Sequence, residues 1–70
     1  MKSIKQIEQD PRVYMVERND DWDRDNPEDA AKYFLWLEDG YTFDGYSGME
    51  AASSVKDLND LLNEIKEAAQ

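Results

Sequence analysis

The sequence predicts an α+β fold. A small antiparallel sheet of two to four strands is packed by a long C-terminal amphipathic helix, and a short helix leads the chain. Three observations predict it. Residues 12–18 and 33–37 are rich in β-branched and aromatic side chains. Asp39-Gly40 is a strong two-residue turn signal between apolar runs. Val55, Leu58, Leu61, Leu62, Ile65 and Ala68 recur at helical spacing. At 70 residues, the chain is read as one domain, residues 1–70.

Each element has a local reason. Ser3 and Gln6 are spaced as a capping box, so a short helix is expected over 4–9. Asp10-Pro11 ends it, because the residue before proline disfavours the helical region. Residues 12–18 follow as a strand, with Val13 and Met15 facing one way and Tyr14 and Val16 the other. Residues 19–29 form a polar loop holding six acids, one Arg and one Trp.

Residues 30–45 admit two readings. Asn26-Pro27-Glu28-Asp29 has the form of a helix start, with Gly40 as the matching cap. Tyr33-Phe34-Leu35-Trp36-Leu37, however, is apolar on every side and is followed by Asp39-Gly40 and Tyr41-Thr42-Phe43. The hairpin is preferred, with Trp36 opposite Phe43 and Leu37 opposite Thr42. In a strand, Tyr33, Leu35 and Leu37 share one face and Phe34 and Trp36 the other. One helix layer covers one face; the other must meet the N-terminal helix, a second subunit or a partner. Gly45-Tyr46-Ser47-Gly48 is a turn, residues 49–53 a short edge strand, and residues 54–69 the long helix, opened by Ser54.

The composition excludes whole classes of function. There is no cysteine, hence no disulfide, thiolate metal site or thiol nucleophile, and no histidine for a triad or a usual zinc site. The three glycines stand in turns and build no phosphate loop. A chain this short has little room for a cleft that would raise a carboxylate's pKa and hold a substrate, so catalysis is not expected, nor is a cofactor. No apolar run approaches the length of a membrane span and the N-terminus lacks a signal-peptide stretch, so a cytoplasmic protein is expected.

With 17 Asp plus Glu against 8 Lys plus Arg, the net charge is −9. Such a chain repels nucleic acid and anionic lipid and attracts basic surfaces. Two acidic rows are the candidate partner-binding groups. In the loop, Asp20, Asp21, Asp23, Asp25, Glu28 and Asp29 surround Trp22, the candidate aromatic anchor. If extended, Asp21, Asp23 and Asp25 lie about 6.6 Å apart, comparable to the phosphate step of a nucleic-acid strand. On the last helix, Asp57, Asp60, Glu64 and Glu67 align along one flank, spaced to engage a row of Lys or Arg. Either row also fits a merely solvated surface. Asp21-x-Asp23-x-Asp25 matches the first ligands of an EF-hand loop, but Asn26 stands where Gly is needed and Lys32 where Glu is needed, so no metal is assigned.

The order of a short leader, β-strands, Leu35-Trp36-Leu37-Glu38-Asp39-Gly40-Tyr41-Thr42-Phe43, and Ser53-Ser54-Val55-Lys56-Asp57-Leu58 opening a final helix resembles many small acidic proteins of bacteriophage and mobile elements. Among these are anti-CRISPR proteins and other DNA-mimic inhibitors of host defence. The resemblance lies in size, acidity and layout. It implies an inhibitor that sets carboxylates where a defence complex expects phosphates, acting in a bacterial host cell. The other expectation is a structural or regulatory interaction module, or a homodimer joined through the aromatic sheet face.

Overall fold

The computed structural model describes residues 1–25 and 31–68. Its elements are α1 (Ile4–Glu8), β1 (Val13–Arg18), β2 (Tyr33–Leu37), β3 (Tyr41–Thr42), β4 (Met49–Ala52), α2 (Val55–Leu62) and β5 (Lys66–Glu67). Strands β1, β2 and β4 form an antiparallel sheet with β2 in the centre, and β3 pairs with β5 in a separate two-stranded ladder.

The N-terminal elements follow from local chemistry. Gln6 N–H donates to Ser3 Oγ at 3.3 Å and Ser3 N–H to Gln6 Oε1 at 2.9 Å, closing the capping box of α1. The chain then turns, with Val13 N–H donating to the Asp10 carbonyl at 2.9 Å. Asp10 holds this turn: its carboxylate accepts from the Arg12 backbone N–H (2.9 Å), Nε (3.0 Å) and Nη2 (2.7 Å). Those bonds, led by the one to the guanidinium side chain, lower the Asp10 pKa from 3.8 to about 2 against the opposing effect of burial.

Strand β1 departs from simple alternation. Val13 pairs with Leu37 but Met15 with Trp36, so a bulge adds one residue to β1. Val13 and Val16 therefore both enter the core, while Met15 and Tyr14 are exposed. This corrects the expected pairing of Val13 with Met15 on one face. In β2 the expected faces hold: Tyr33 and Leu35 are buried beside partly buried Leu37, and Phe34 and Trp36 point the other way.

The hairpin expected between β2 and residues 41–43 does not form. Tyr41 N–H donates to the Glu38 carbonyl at 3.2 Å, so Asp39-Gly40 does make a turn. Gly40 has φ +95°, yet among the described residues no non-glycine residue has positive φ, Asp39 included. A two-residue type I′ hairpin needs left-handed backbone at both central positions. A turn left-handed only at its second central residue splays the strands instead. Trp36 accordingly lies between Met15 and Met49, and Phe43 is buried in the core rather than opposite it.

The second correction is the C-terminal helix. Ser54 caps α2 by accepting from Asp57 N–H at 3.1 Å, as its sequence suggests. The helix then ends at Leu62 with Asn63 as its C-cap, making it eight residues and not a long element over 54–69. The chain beyond gains its hydrogen bonds elsewhere. Lys66 and Glu67 pair with Thr42 and Tyr41, and Ala68 N–H donates to the Gly40 carbonyl at 2.8 Å. Ile65 still packs against the core. Continued helix would have kept Ile65 on the apolar stripe but left the β3 backbone without this partner.

One cluster forms the core: Ile7, Val13, Val16, Tyr33, Leu35, Phe43, Ala52, Leu58 and Leu62. Both helices contribute to it, so α1 and α2 lie on the Leu35 face of the sheet. Asn59 ties the chain's start to α2, accepting from Lys2 N–H at 2.9 Å while its Nδ2 donates to the Lys2 and Val55 carbonyls. Among the described residues, no helix is long and apolar enough to cross a membrane.

Candidate functional site

Two surfaces stand out. The first is the acidic segment leaving β1 at Arg18. Asn19 organises it: its backbone N–H donates to the Lys32 carbonyl (3.0 Å), its Nδ2 to the Ala31 carbonyl (2.7 Å), and its Oδ1 accepts from Asp21 N–H (3.0 Å). Trp22 N–H then donates back to the Asn19 carbonyl at 3.1 Å, and Asp23 Oδ1 accepts from Asp25 N–H at 2.8 Å. The segment is thus a chain of Asx-type turns rather than an extended row. Asp20, Asp21, Asp23 and Asp25 are exposed. Glu28 and Asp29 lie outside the described residues, as does the helix start considered over 26–29.

Trp22 is not an open anchor. It is half-buried, and Lys32 Nζ sits over its ring at 4.9 Å and over the Tyr33 ring at 5.5 Å. A shallow cavity of about 210 Å³ lies here, lined by Arg18, Asn19, Asp20, Trp22, Lys32 and Tyr33. The cation–π contact fastens the acidic segment to the start of β2. Among the described residues, no three Asp, Glu, His or Cys side chains are grouped to hold a metal ion.

The expected acidic flank of the last helix is dispersed. Asp57 accepts from Ser53 N–H through Oδ2 at 3.1 Å, at the start of α2. Asp60 pairs with Lys56 at 2.9 Å, which raises the Lys56 pKa through that hydrogen bond and the charge attraction. Glu64 lies past the C-cap, and Glu67 is on β5 opposite Tyr41. Since α2 stops at Leu62, the four acids are not on one helical flank.

The second surface is the face of the sheet opposite the helices. Direct register partners share a face. Met15, Trp36 and Met49 make one row, and Glu17, Phe34 and Ala51 the next. Trp36 is 38% exposed and Met15 36%. Trp36 Nε1–H donates to Glu17 Oε1 at 3.0 Å, a diagonal bond between β2 and β1 on this face. Phe34 and Trp36 were legible as an unassigned apolar face. Met15, Met49 and Glu17 were not, because only the strand order β1-β2-β4 brings them alongside. The bulge at Tyr14 is the feature that turns Met15 outward.

The chain matches no protein-family model, no curated protein and no solved structure.

Proposed function

We propose that this chain is a non-enzymatic acidic binding protein, an inhibitor that occupies the basic nucleic-acid-binding surface of a DNA- or RNA-binding protein, such as a host defence complex of the CRISPR kind. The observation that carries this reading is the imbalance of charge left on the surface. The chain has 17 acids against 8 bases, a surplus of nine negative charges, and the Asp10–Arg12 and Asp60–Lys56 pairs each engage one of those few bases. Of the remaining cations, Lys32 is stacked on aromatic rings. Asp20, Asp21 and Asp25 are exposed on a segment that Asn19 and Asp23 tie down with backbone hydrogen bonds, so these carboxylates meet a partner at reduced entropic cost. Charge of this density speeds encounter with a basic surface and excludes nucleic acid from the same place.

The test is capture of partners from bacterial lysate by tagged full-length protein, washed at rising salt and with added DNA. Release of a nucleic-acid-binding protein by either wash is expected. Replacing Asp20, Asp21, Asp23 and Asp25 together by Lys is expected to abolish that capture. Capture that survives both high salt and the fourfold reversal overturns the reading.

A second reading is favoured by the exposed Trp36 and Met15: a structural or regulatory interaction module, or a homodimer, that uses the apolar sheet face. Sedimentation of the free protein separates the homodimer from the monomeric binder.

A further inference from the structure

We propose that the sheet face bearing Trp36 is the docking site for a single amphipathic α-helix of a partner protein, one whose apolar stripe is flanked by Lys or Arg. The proposal rests on the acidic-binder reading and adds to it a second contact area, besides the acidic segment, and the form of what docks there.

Chemistry comes first. The strand residues turned to this face are Met15 and Glu17 from β1, Phe34 and Trp36 from β2, and Met49 and Ala51 from β4. Five are apolar and one is anionic; none is cationic. Phe34 and Trp36 offer flat aromatic area, and the methionines flank Trp36 on both sides with unbranched side chains that adapt to an incoming surface. Glu17 is exposed, and among the described residues only its Oε1 is engaged, accepting from the indole N–H in the bond described above. Oε2 is therefore placed to receive a cation at the edge of the apolar strip, while the indole bond keeps the carboxylate in position.

Size selects a helix. Three strands spaced about 4.8 Å apart give a strip about 10 Å between its outer strands, the width of one helix with its side chains. Strand β2 has five residues and so runs for about 16 Å, the length of roughly eleven helical residues. A helix laid there completes a three-layer arrangement, with α1 and α2 on the opposite side.

Charge selects the partner over a second copy. Two copies would bring net charges of −9 together and set the Glu17 carboxylates on a shared dry interface with no cation among its six strand residues to meet them. A helix flanked by Lys or Arg removes both penalties and satisfies Oε2. Such helices are common on nucleic-acid-binding proteins, where their cations face phosphate, so covering one would also withdraw it from its nucleic acid.

Two synthetic helical peptides of about fourteen residues, three to four turns, test this with the full-length protein. They share a Leu stripe at i, i+3, i+4, i+7; one carries Lys on its flanks, the other Glu. The readouts are calorimetry and the NMR resonance of the Trp36 indole N–H. The Lys peptide is expected to bind and shift that resonance. Trp36→Ser and Glu17→Lys, each checked for unchanged thermal unfolding, are expected to weaken it at least tenfold. The Glu peptide is expected not to bind. Binding of the Lys peptide that moves residues 20–25 and ignores both variants overturns the docking site but leaves the acidic-binder reading standing. Equal binding of both peptides overturns the part assigned to charge, and with it the acidic-binder reading of this face. No binding at all, whether the protein sediments as a monomer or as a dimer closed through Trp36, overturns the docking site.

Discussion

The two faces of strand β2 differ by one residue position and by almost everything else. Leu35 is fully buried beneath α1 and α2, whereas its neighbour Trp36 is 38% exposed on the other side. Both are large apolar residues on the central strand. The Leu35 face carries the core, and the Trp36 face is partly open to solvent. The difference teaches that an apolar residue in a small domain is not by itself a core residue; which side of the sheet the helices take decides its role.

The strongest way to break the comparison is to truncate both residues. Leu35→Ala is expected to cost about 3–5 kcal/mol, most of the stability available to a chain of this size. Trp36→Ser, losing only part-exposed area and the bond to Glu17, is expected to cost about 1 kcal/mol or less. Urea denaturation of the two variants measures this directly, and equal losses would make the Trp36 face part of the core.

Next is the Asp10 turn, which feeds α1 into β1 and so helps hold α1 on the Leu35 face. The folded-state pKa of Asp10 is depressed from 3.8 to about 2. Its contribution is therefore complete above about pH 4 and is lost as pH falls through about 2. The Asp10 side chain is 7% exposed but that of Arg12 35%, so screening trims the contribution to about 1–2 kcal/mol. Asp10→Ala is expected to lose that amount at pH 7, with wild type and variant converging near pH 2 in denaturation curves.

Smaller effects attach to backbone features. Ser54→Ala removes the α2 cap and is expected to cost about 1 kcal/mol. Gly40→Ala meets no atom within 4 Å, so its cost is that of a left-handed backbone alone, again about 1 kcal/mol by thermal unfolding. The smallest effect belongs to Lys56→Ala. That residue's ion pair with Asp60 is exposed, and no measurable change in unfolding midpoint is expected at physiological salt.

How much was legible in the sequence follows from the range of the interactions. Ser3 with Gln6, and Ser54 with Asp57, lie three residues apart and close without help from the rest of the chain. The split of β2 into a Leu35 face and a Trp36 face needs only the two-residue repeat of an extended backbone. Asp39-Gly40 was legible as a turn but not as the kind of turn, because Asp39 adopts negative φ where the hairpin required positive. On the acidic surface, the exposure of Asp20–Asp25 could be expected, but the Lys32 contact on Trp22 joins residues ten apart in sequence and was not marked by any motif.

By itself, then, the sequence determined the α+β class, the helix starts, the alternation within β2 and the acidic surface. Each depends on local geometry or on simple summation of charge. Only the tertiary structure decided which strands pair, where α2 ends and which apolar face stays open. Those outcomes turn on backbone hydrogen bonds between distant segments, Lys66 and Glu67 with Thr42 and Tyr41 and Trp36 with Met15 and Met49. Backbone donors and acceptors are chemically alike at nearly every residue, so no side-chain pattern names their distant partners; the best joint satisfaction of the whole chain does.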